Sequence, residues 1–141
     1  MQDIKQALYQ RLLSDGTLTT LLGSTEPDPR VYSAEPPQQI PLSDATPAFI
    51  TMTLASLGTP TGPDGVTAPD EVYDVRIWSD QPSVIESASS RLVSVLNGWM
   101  FDTTEHCGMC VALLGSTDMI HAASGRYCRK QTWRVWHIMD A

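Results

Sequence analysis

The chain has 141 residues, of which 42% are hydrophobic and 18% are charged. A chain of this size fits one domain, which can bury roughly 68–70% of the surface that its unfolded form exposes. Sixteen acidic against nine basic residues give a net charge of −7, which argues against a broad nucleic-acid-binding face, because such a face neutralises phosphates with Lys and Arg. No segment approaches the ~18 consecutive apolar residues of a membrane span, and no apolar signal segment follows Met1. We therefore expect a protein that is made and works in soluble form, and three cysteines, an odd number for a disulfide framework, indicate folding in a reducing cytoplasm.

Apolar residues at helical spacing predict an amphipathic helix over residues 3–14. Asp15 and Gly16 end it. A short second helix over residues 18–22 follows, with Thr17 as its N-cap and Gly23 at its exit.

Six prolines between residues 24 and 47 exclude a long helix or a central strand from that segment. Only residues 30–34 could form a brief strand. Alternation predicts strands over residues 48–56 and 71–78, each with one buried face. The segments near 24–47 and 57–70 are predicted to be flexible loops, because they are rich in turn-forming residues and poor in apolar ones.

Residues 79–82 have the pattern of a helix start, with proline in the first turn. The helix is predicted to end at Asn97 and Gly98, with one apolar stripe made of Ile85, Ala88, Leu92, Val95 and Leu96. Residues 99–101 would pack at its exit. A strand over 110–114, a turn region over 116–124 and a long strand over 126–139 complete the chain.

This order predicts a single α+β domain over residues 1–141. Its antiparallel or mixed sheet would have four to five strands, with two main helices on one face.

Residues with catalytic or metal-binding potential are few. Cys107 and Cys110 have the spacing of half a zinc site or of a redox pair. The further ligand candidates His106, His121 and Cys128 do not form a second close pair. No histidine lies beside a nucleophile motif, and the glycine-rich loop at 58–65 lacks the Gly-Lys-Ser/Thr of a phosphate-binding loop. The sequence thus predicts no enzyme and no catalytic, cofactor-binding or metal site.

Aromatic residues leave two interpretations open. The stretch from Arg126 to Trp136 interleaves basic and aromatic residues, which suits a stacking platform for single-stranded nucleic acid but equally one solvated face of a strand. The four tryptophans would be core residues or partner contacts: Trp78, Trp99, Trp133 and Trp136.

Several short sequence segments, together with the order of the predicted elements, make the chain resemble the tail-completion, or tail-terminator, proteins of long-tailed bacteriophages. They lie at residues 4–23, 30–32, 47–52, 73–79 and 133–136. The loop near 58–69 and the pair Cys107 and Cys110 depart from that pattern. The resemblance covers nearly the whole chain and rests on pattern rather than on a catalytic signature.

The resemblance implies a structural virion protein of the tail or neck, assembled in the host cytoplasm as a homo-oligomeric ring, commonly a hexamer. Such a ring stops polymerisation of the tail tube and joins the tube to the head connector. Its partners would be other copies of itself, the tail tube protein and the head–tail connector, while genome DNA passes through the lumen without specific binding. Carboxylates facing that lumen would repel the DNA, and the 57–70 loop would contact the adjacent ring.

Two alternatives stay open at the level of sequence. One is another neck or head–tail adaptor subunit of the same virion. The other is a small cytoplasmic metal-binding or redox protein that uses Cys107 and Cys110. The source would be an infectious phage, a prophage or a tail-derived particle.

Overall fold

The computed structural model describes residues 4–25, 28–32, 40–58, 70–103, 107–120 and 126–137. Within these ranges the chain forms three helices: α1 (Ile4–Leu13), α2 (Gly16–Leu22) and α3 (Pro82–Leu96). It also forms six strands: β1 (Val31–Tyr32), β2 (Ala48–Gly58), β3 (Asp70–Ser79), β4 (Met100–Phe101), β5 (Met109–Ile120) and β6 (Tyr127–His137). None of the described helices is long and apolar enough to cross a membrane.

The strands form one curled, mixed sheet in the order β1-β2-β3-β6-β5-β4. β1 pairs with β2 in parallel, and the other neighbours are antiparallel. The prediction of four to five strands and two main helices is therefore wrong. The strands β1 and β4 have only two residues each, which is too short for a period-2 pattern to show in the sequence.

One sheet face is covered by the helices, and we call it the covered face. Its side chains join those of all three helices in the main core, among them Val75, Ile77, Trp133 and Val135. The strand residues between them point their side chains to the other side of the sheet, which we call the open face. A smaller apolar cluster covers one end of the open face, where Ile40 packs with Phe49, Trp78 and Cys128. The apolar stripe predicted for α3 is confirmed, since all of its members are buried.

The start of α2 differs from its prediction. Asp15, not Thr17, is the N-cap, and its carboxylate accepts the backbone N–H of Leu18 at 2.9 Å. Arg91 of α3 donates two hydrogen bonds to the same carboxylate, at 2.8 and 2.7 Å. This second partner fixes Asp15 at the cap, so that α2 begins at Gly16. The exit at Gly23 is confirmed, and its φ of 73° needs glycine.

Replacing Asp15 with asparagine is expected to lower the stability most above pH 5. The hydrogen bonds from Arg91 hold the pKa of Asp15 below its ordinary value. A carboxyl whose folded pKa is depressed contributes stability above its unfolded pKa and loses it as the pH falls through the folded value. The free energies of unfolding of the wild type and of Asp15→Asn, measured by urea titration, should therefore differ near pH 7 and converge below about pH 4. A difference that is constant with pH would contradict this account.

The strand β5 is longer than predicted. Residues 116–120, predicted as part of a turn, continue the strand beside β6. Their composition, Ser-Thr-Asp between Gly115 and Met119, favours a turn locally, but pairing with β6 imposes the extended form. The register shifts between Leu113 and Gly115, which makes Leu114 the extra residue of a bulge.

A buried arginine holds the chain before β2. Arg30 is 2% exposed and has a φ of 62°, in the left-handed region. Its guanidinium donates to the backbone carbonyls of Pro41, Thr46 and Ala48 at 3.0–3.3 Å. Segments 26–27, 33–39 and 59–69, which cover much of the predicted flexible loops, lie outside the described residues.

Candidate subunit interface

The two outermost strands each protect only part of their neighbour. β1 pairs with β2 at Ile50 and Thr51 alone. β4 pairs with β5 at Met109 and Cys110 alone, and the Asn97 side chain accepts the backbone N–H of Leu113 at 3.2 Å. Beyond these contacts, residues 52–58 of β2 and residues 114–120 of β5 have no outer strand neighbour within the described ranges. We call these stretches the β2 free edge and the β5 free edge.

Alternation of the ladder shows which backbone groups the β5 free edge offers. The Val111 N–H points outward, because it donates to Trp99 O at 3.1 Å. In an antiparallel pair every second residue points the same way, and Val111 is opposite Val135 of β6. Counting every second residue of β6 from Val135 carries this pattern past the bulge. The β5 residues whose backbone N–H groups point outward are then Ser116, Asp118 and Ile120. They are opposite Gln131, Arg129 and Tyr127.

The β2 free edge offers a matching set. The Ile50 N–H points outward, because it donates to Arg30 O at 2.9 Å. The same pattern is followed past the bulge between Leu54 and Ser56 by counting every second residue of β3. The β2 residues whose backbone N–H groups point outward are then Met52, Leu54 and Leu57. Each edge therefore presents three backbone positions that could pair with another strand.

Apolar side chains are exposed at both edges. Leu114 is 57% and Ile120 63% exposed on β5, and Leu54 is 45% exposed on β2. Natural sheets commonly protect long edges with charged residues, prolines or bulges. The β5 free edge has a bulge but only one charged residue, Asp118.

That single charge is neutralised within the chain. Arg129 donates to both carboxylate oxygens of Asp118, at 2.6 and 3.2 Å, and to Glu86 of α3 at 2.5 Å. These hydrogen bonds hold the pKa values of Asp118 and Glu86 below their ordinary values. The carboxylate of Asp118 thus turns towards the covered face, and it protects the edge less than a free charge would.

The open face carries the basic residues of the central strands. Arg76 and Lys130 are directly opposite each other on β3 and β6, an arrangement of like charges that costs stability. Arg134 lies on the same face and makes two hydrogen bonds to Asp70, at 2.9 and 2.8 Å. The open face therefore differs in charge from the acidic chain as a whole.

The candidate stacking platform is divided between the two faces. Lys130, Arg134 and Trp136 lie on the open face, whereas Tyr127, Arg129 and Trp133 lie on the covered face. The Arg134 guanidinium lies over the ring of Trp136, 4.8 Å from its centroid. A continuous row of bases could not stack on residues that alternate through a sheet, so the structure does not bring this predicted site together.

The four tryptophans fall into two pairs. Trp78 and Trp133 are buried, and Trp133 is fully buried in the main core. Trp99 and Trp136 are half-buried. Trp99 stacks on Phe101 with ring centroids 4.4 Å apart, and Arg11 lies over its ring. Residues 99–101 thus pack at the exit of α3, as predicted, and also begin the edge strand β4.

The cysteines do not form a described metal cluster. Cys107 is exposed, Cys110 is half-buried on β5 and Cys128 is buried on β6. Within the described ranges no three His, Cys, Asp or Glu side chains come together as metal ligands. His106 and His121, the predicted further ligands, lie outside those ranges.

Thiol labelling of the folded protein is expected to separate the three cysteines. Burial raises the pKa of Cys128 to about 11, so its thiolate, the reactive form, is scarce at neutral pH. A chromogenic disulfide reagent should label exposed Cys107 first and leave Cys128 unlabelled until urea is added. Mass spectrometry of tryptic peptides after brief labelling checks the order, with fragmentation of the peptide 92–126 to separate Cys107 from Cys110 and with Cys128→Ala as the control. Fast labelling of Cys128 would contradict it.

Sequence reasoning did not find the two free edges. They depend on how far each short outer strand reaches, and β1 and β4 leave almost no periodic signal. The nearest signal was the alternating apolar pattern of residues 48–56, which predicted the strand but not that Leu54 is exposed.

Comparisons with known proteins show similarity at the level of fold. No protein-family model matches the chain, and no curated protein matches it in sequence. A chain in the virion of a native gene transfer agent particle superposes with a TM-score of 0.72 at 16% identity, over 95% of this chain and 93% of that one. A second solved protein, whose name states no function, superposes with a TM-score of 0.56 at 9% identity, over 99% of both chains. At these identities the likeness shows a shared fold.

Proposed function

We propose that this chain is a structural virion protein of a phage-like particle, and that it forms the ring that ends the tail tube and joins it to the head. The observation that carries the proposal is the superposition on a virion chain over 95% of this chain. The resemblance of residues 4–23, 73–79 and 133–136 to tail-completion proteins supports the particular position that we propose in the virion. No step of this function requires catalysis, a cofactor or a metal.

Two edges of one sheet support the ring. A ring needs a contact in which two different surfaces of the same chain meet. The β2 free edge and the β5 free edge are two such surfaces, and both expose apolar side chains. The partners above and below the ring would be the head–tail connector and the tail tube protein.

The charge of the open face bears on the hypothesis that an acidic lumen of the ring repels the passing DNA. Where β3 and β6 pair, the open face has the basic residues Arg76, Lys130 and Arg134 and the acidic residues Asp70 and Asp74, and Arg126 adds a further guanidinium over the ring of Phe49. An acidic lumen, which would repel DNA, therefore requires that another surface lines the channel. A ring whose open face lines the lumen would contradict the acidic-lumen hypothesis and leave the ring itself intact.

The experiment that tests this function combines particle imaging with removal of the gene. We expect the purified protein to be a ring of about six subunits by light scattering, or a monomer that forms a ring when tail tubes are added. Particles made without it should contain tails of uncontrolled length that are not joined to heads. The protein should copurify with tails in a strain that makes no heads.

Other outcomes would favour the alternatives. Copurification with heads that lack tails would favour an adaptor subunit. Stoichiometric zinc that is lost in Cys107→Ser and Cys110→Ser would favour the metal-binding protein. A monomer that is indifferent to tail tubes would favour either the adaptor or the metal-binding protein.

A further inference from the structure

We infer that neighbouring copies in the ring join edge to edge, with the β5 free edge of one copy paired antiparallel to the β2 free edge of the next. This inference rests on the proposed ring, and it identifies the surfaces that build it. Its occupant is a second copy of this chain, because the chain itself carries both halves of the contact.

The directions of the strands suit this pairing. β2, β3, β6 and β5 are successive antiparallel neighbours, so β2 and β5 run in opposite directions. When the sheet continues from the β5 edge of one copy to the β2 edge of the next, the new pair is therefore antiparallel. Each edge supplies three outward backbone positions to it, and the exposed Leu54, Leu114 and Ile120 become contact residues.

The two free edges lie at different levels along the strand direction, so paired copies would be offset from each other in that direction. Thr117, at the centre of the β5 free edge, is level with Lys130. Leu54 and Ser56, near the centre of the β2 free edge, pair with Tyr73 and Val72 of β3. These pair in turn with Trp133 and Arg134 of β6, which lie three and four residues beyond Lys130. Neighbouring copies would thus be offset by about 10–14 Å at ~3.4 Å per residue.

This stagger is of the size that a closed sheet needs. Four strands at a spacing of ~4.8 Å are about 19 Å wide, so an offset of about 10–14 Å per copy corresponds to a strand tilt of roughly 28–36°. Closed barrels require such a stagger, with a tilt typically near 35–45°. The offset edges therefore suit a closed ring of tilted strands better than a flat, level ribbon.

The short outer strands explain why the pairing stops where it does. β1 covers the end of β2 that is level with the β5 free edge of the same copy, and β4 covers the opposite end of β5. Each copy therefore blocks the half of each edge that the neighbour does not use. A closed ring removes both free edges, which otherwise invite unspecific pairing.

Lysine at either edge tests the inference. Leu114→Lys and Leu54→Lys place a charge in the contact, and we expect each to weaken ring assembly roughly tenfold or more, as measured by light scattering over a dilution series. Met100→Lys is the matched control, because Met100 is 57% exposed like Leu114 but lies on β4, outside both free edges. It should assemble as the wild type does. Thermal unfolding of all three variants checks that they remain folded.

A backbone variant tests the pairing itself. Ser116→Pro removes an outward N–H that donates to no described group, so the single copy should fold, whereas the pair loses a hydrogen bond. Ser116→Ala keeps the N–H and is its control. We expect Ser116→Pro to weaken assembly and Ser116→Ala to leave it unchanged.

Mixing the two lysine variants distinguishes the two ways in which edges could meet. Leu54→Lys keeps an intact β5 free edge, and Leu114→Lys keeps an intact β2 free edge. With head-to-tail pairing we expect a monomer from each variant alone at concentrations where its weakened contact is not formed, and a dimer of one copy of each from an equal mixture at the same concentration. If β5 edges paired with each other, Leu54→Lys alone would dimerise, and the inference would be overturned.

The remaining outcomes separate this inference from the proposed function. Rings of wild-type mass formed by Leu114→Lys, Leu54→Lys and Ser116→Pro would overturn the edge pairing and leave the ring function standing. A wild-type protein that forms no ring with tail tubes would overturn both.

Discussion

Replacing Arg30 with alanine is expected to lower the free energy of unfolding by about 3–5 kcal/mol, which is a large fraction of the stability of a domain. The guanidinium donates to three backbone carbonyls, and hydrogen bonds to a charged group contribute about 1.5–3 kcal/mol each. Its loss removes this donor from the buried carbonyl of Ala48 and from the part-buried carbonyls of Pro41 and Thr46. Urea unfolding followed by circular dichroism measures the change.

A comparison of two truncations separates the side chain from the backbone. Arg30→Gly and Arg30→Ala both remove the guanidinium, but only glycine adopts the left-handed φ of 62° without strain. We expect Arg30→Gly to be more stable than Arg30→Ala by about 1 kcal/mol. Arg30→Lys keeps the charge but lacks the planar fork, so its stability should lie between those of the wild type and the alanine variant. An alanine variant within 1 kcal/mol of the wild type would contradict this role.

The same residue connects stability to the proposed contact. Arg30 O accepts the Ile50 N–H and so holds β1 beside β2. Where β1 ends, the β2 free edge begins. Loss of Arg30 should therefore loosen the strand that blocks part of this edge, which hydrogen exchange of the Ile50 amide would report.

Elements with a strong period were predictable from the sequence. The stripe of α3 and the alternation of β2, β3 and β6 come from faces that are buried along most of their length, so each position carries the same signal. The position of the helices on one face of a sheet follows from those faces. Even there the ends moved by a few residues, as at β2, which continues to Gly58.

Features that depend on distant partners were not predictable. Asp15 replaces Thr17 as the N-cap because Arg91, far along the chain, binds its carboxylate. Residues 116–120 are extended because β6 lies beside them, against their local preference for a turn. The free edges have the same origin, since they are defined by where β1 and β4 stop. A single sequence records local preference and burial, whereas these features require the register of the whole sheet.

Replacing Trp133 with alanine is the second substitution for which we expect a large effect, a loss of about 3–5 kcal/mol. Trp133 is fully buried at the centre of the covered face, where it is level with Tyr73 and Leu113. Truncation would leave a cavity between the sheet and the helices that the surrounding backbone cannot fill.

Phenylalanine at the same position separates volume from hydrogen bonding. The Trp133 indole N–H donates to Gln131 Oε1 at 3.2 Å, and Gln131 in turn donates to Ser89 O of α3 at 3.3 Å. Trp133→Phe keeps most of the ring but leaves the buried Gln131 oxygen without this donor, so we expect a loss of about 1–3 kcal/mol. Trp136→Phe is the matched control on the open face, where the half-buried ring makes a smaller contribution, and a loss below about 1 kcal/mol is expected. If Trp133→Phe and Trp136→Phe lowered the free energy of unfolding equally in urea, the main core would not lie on the face that the three helices cover.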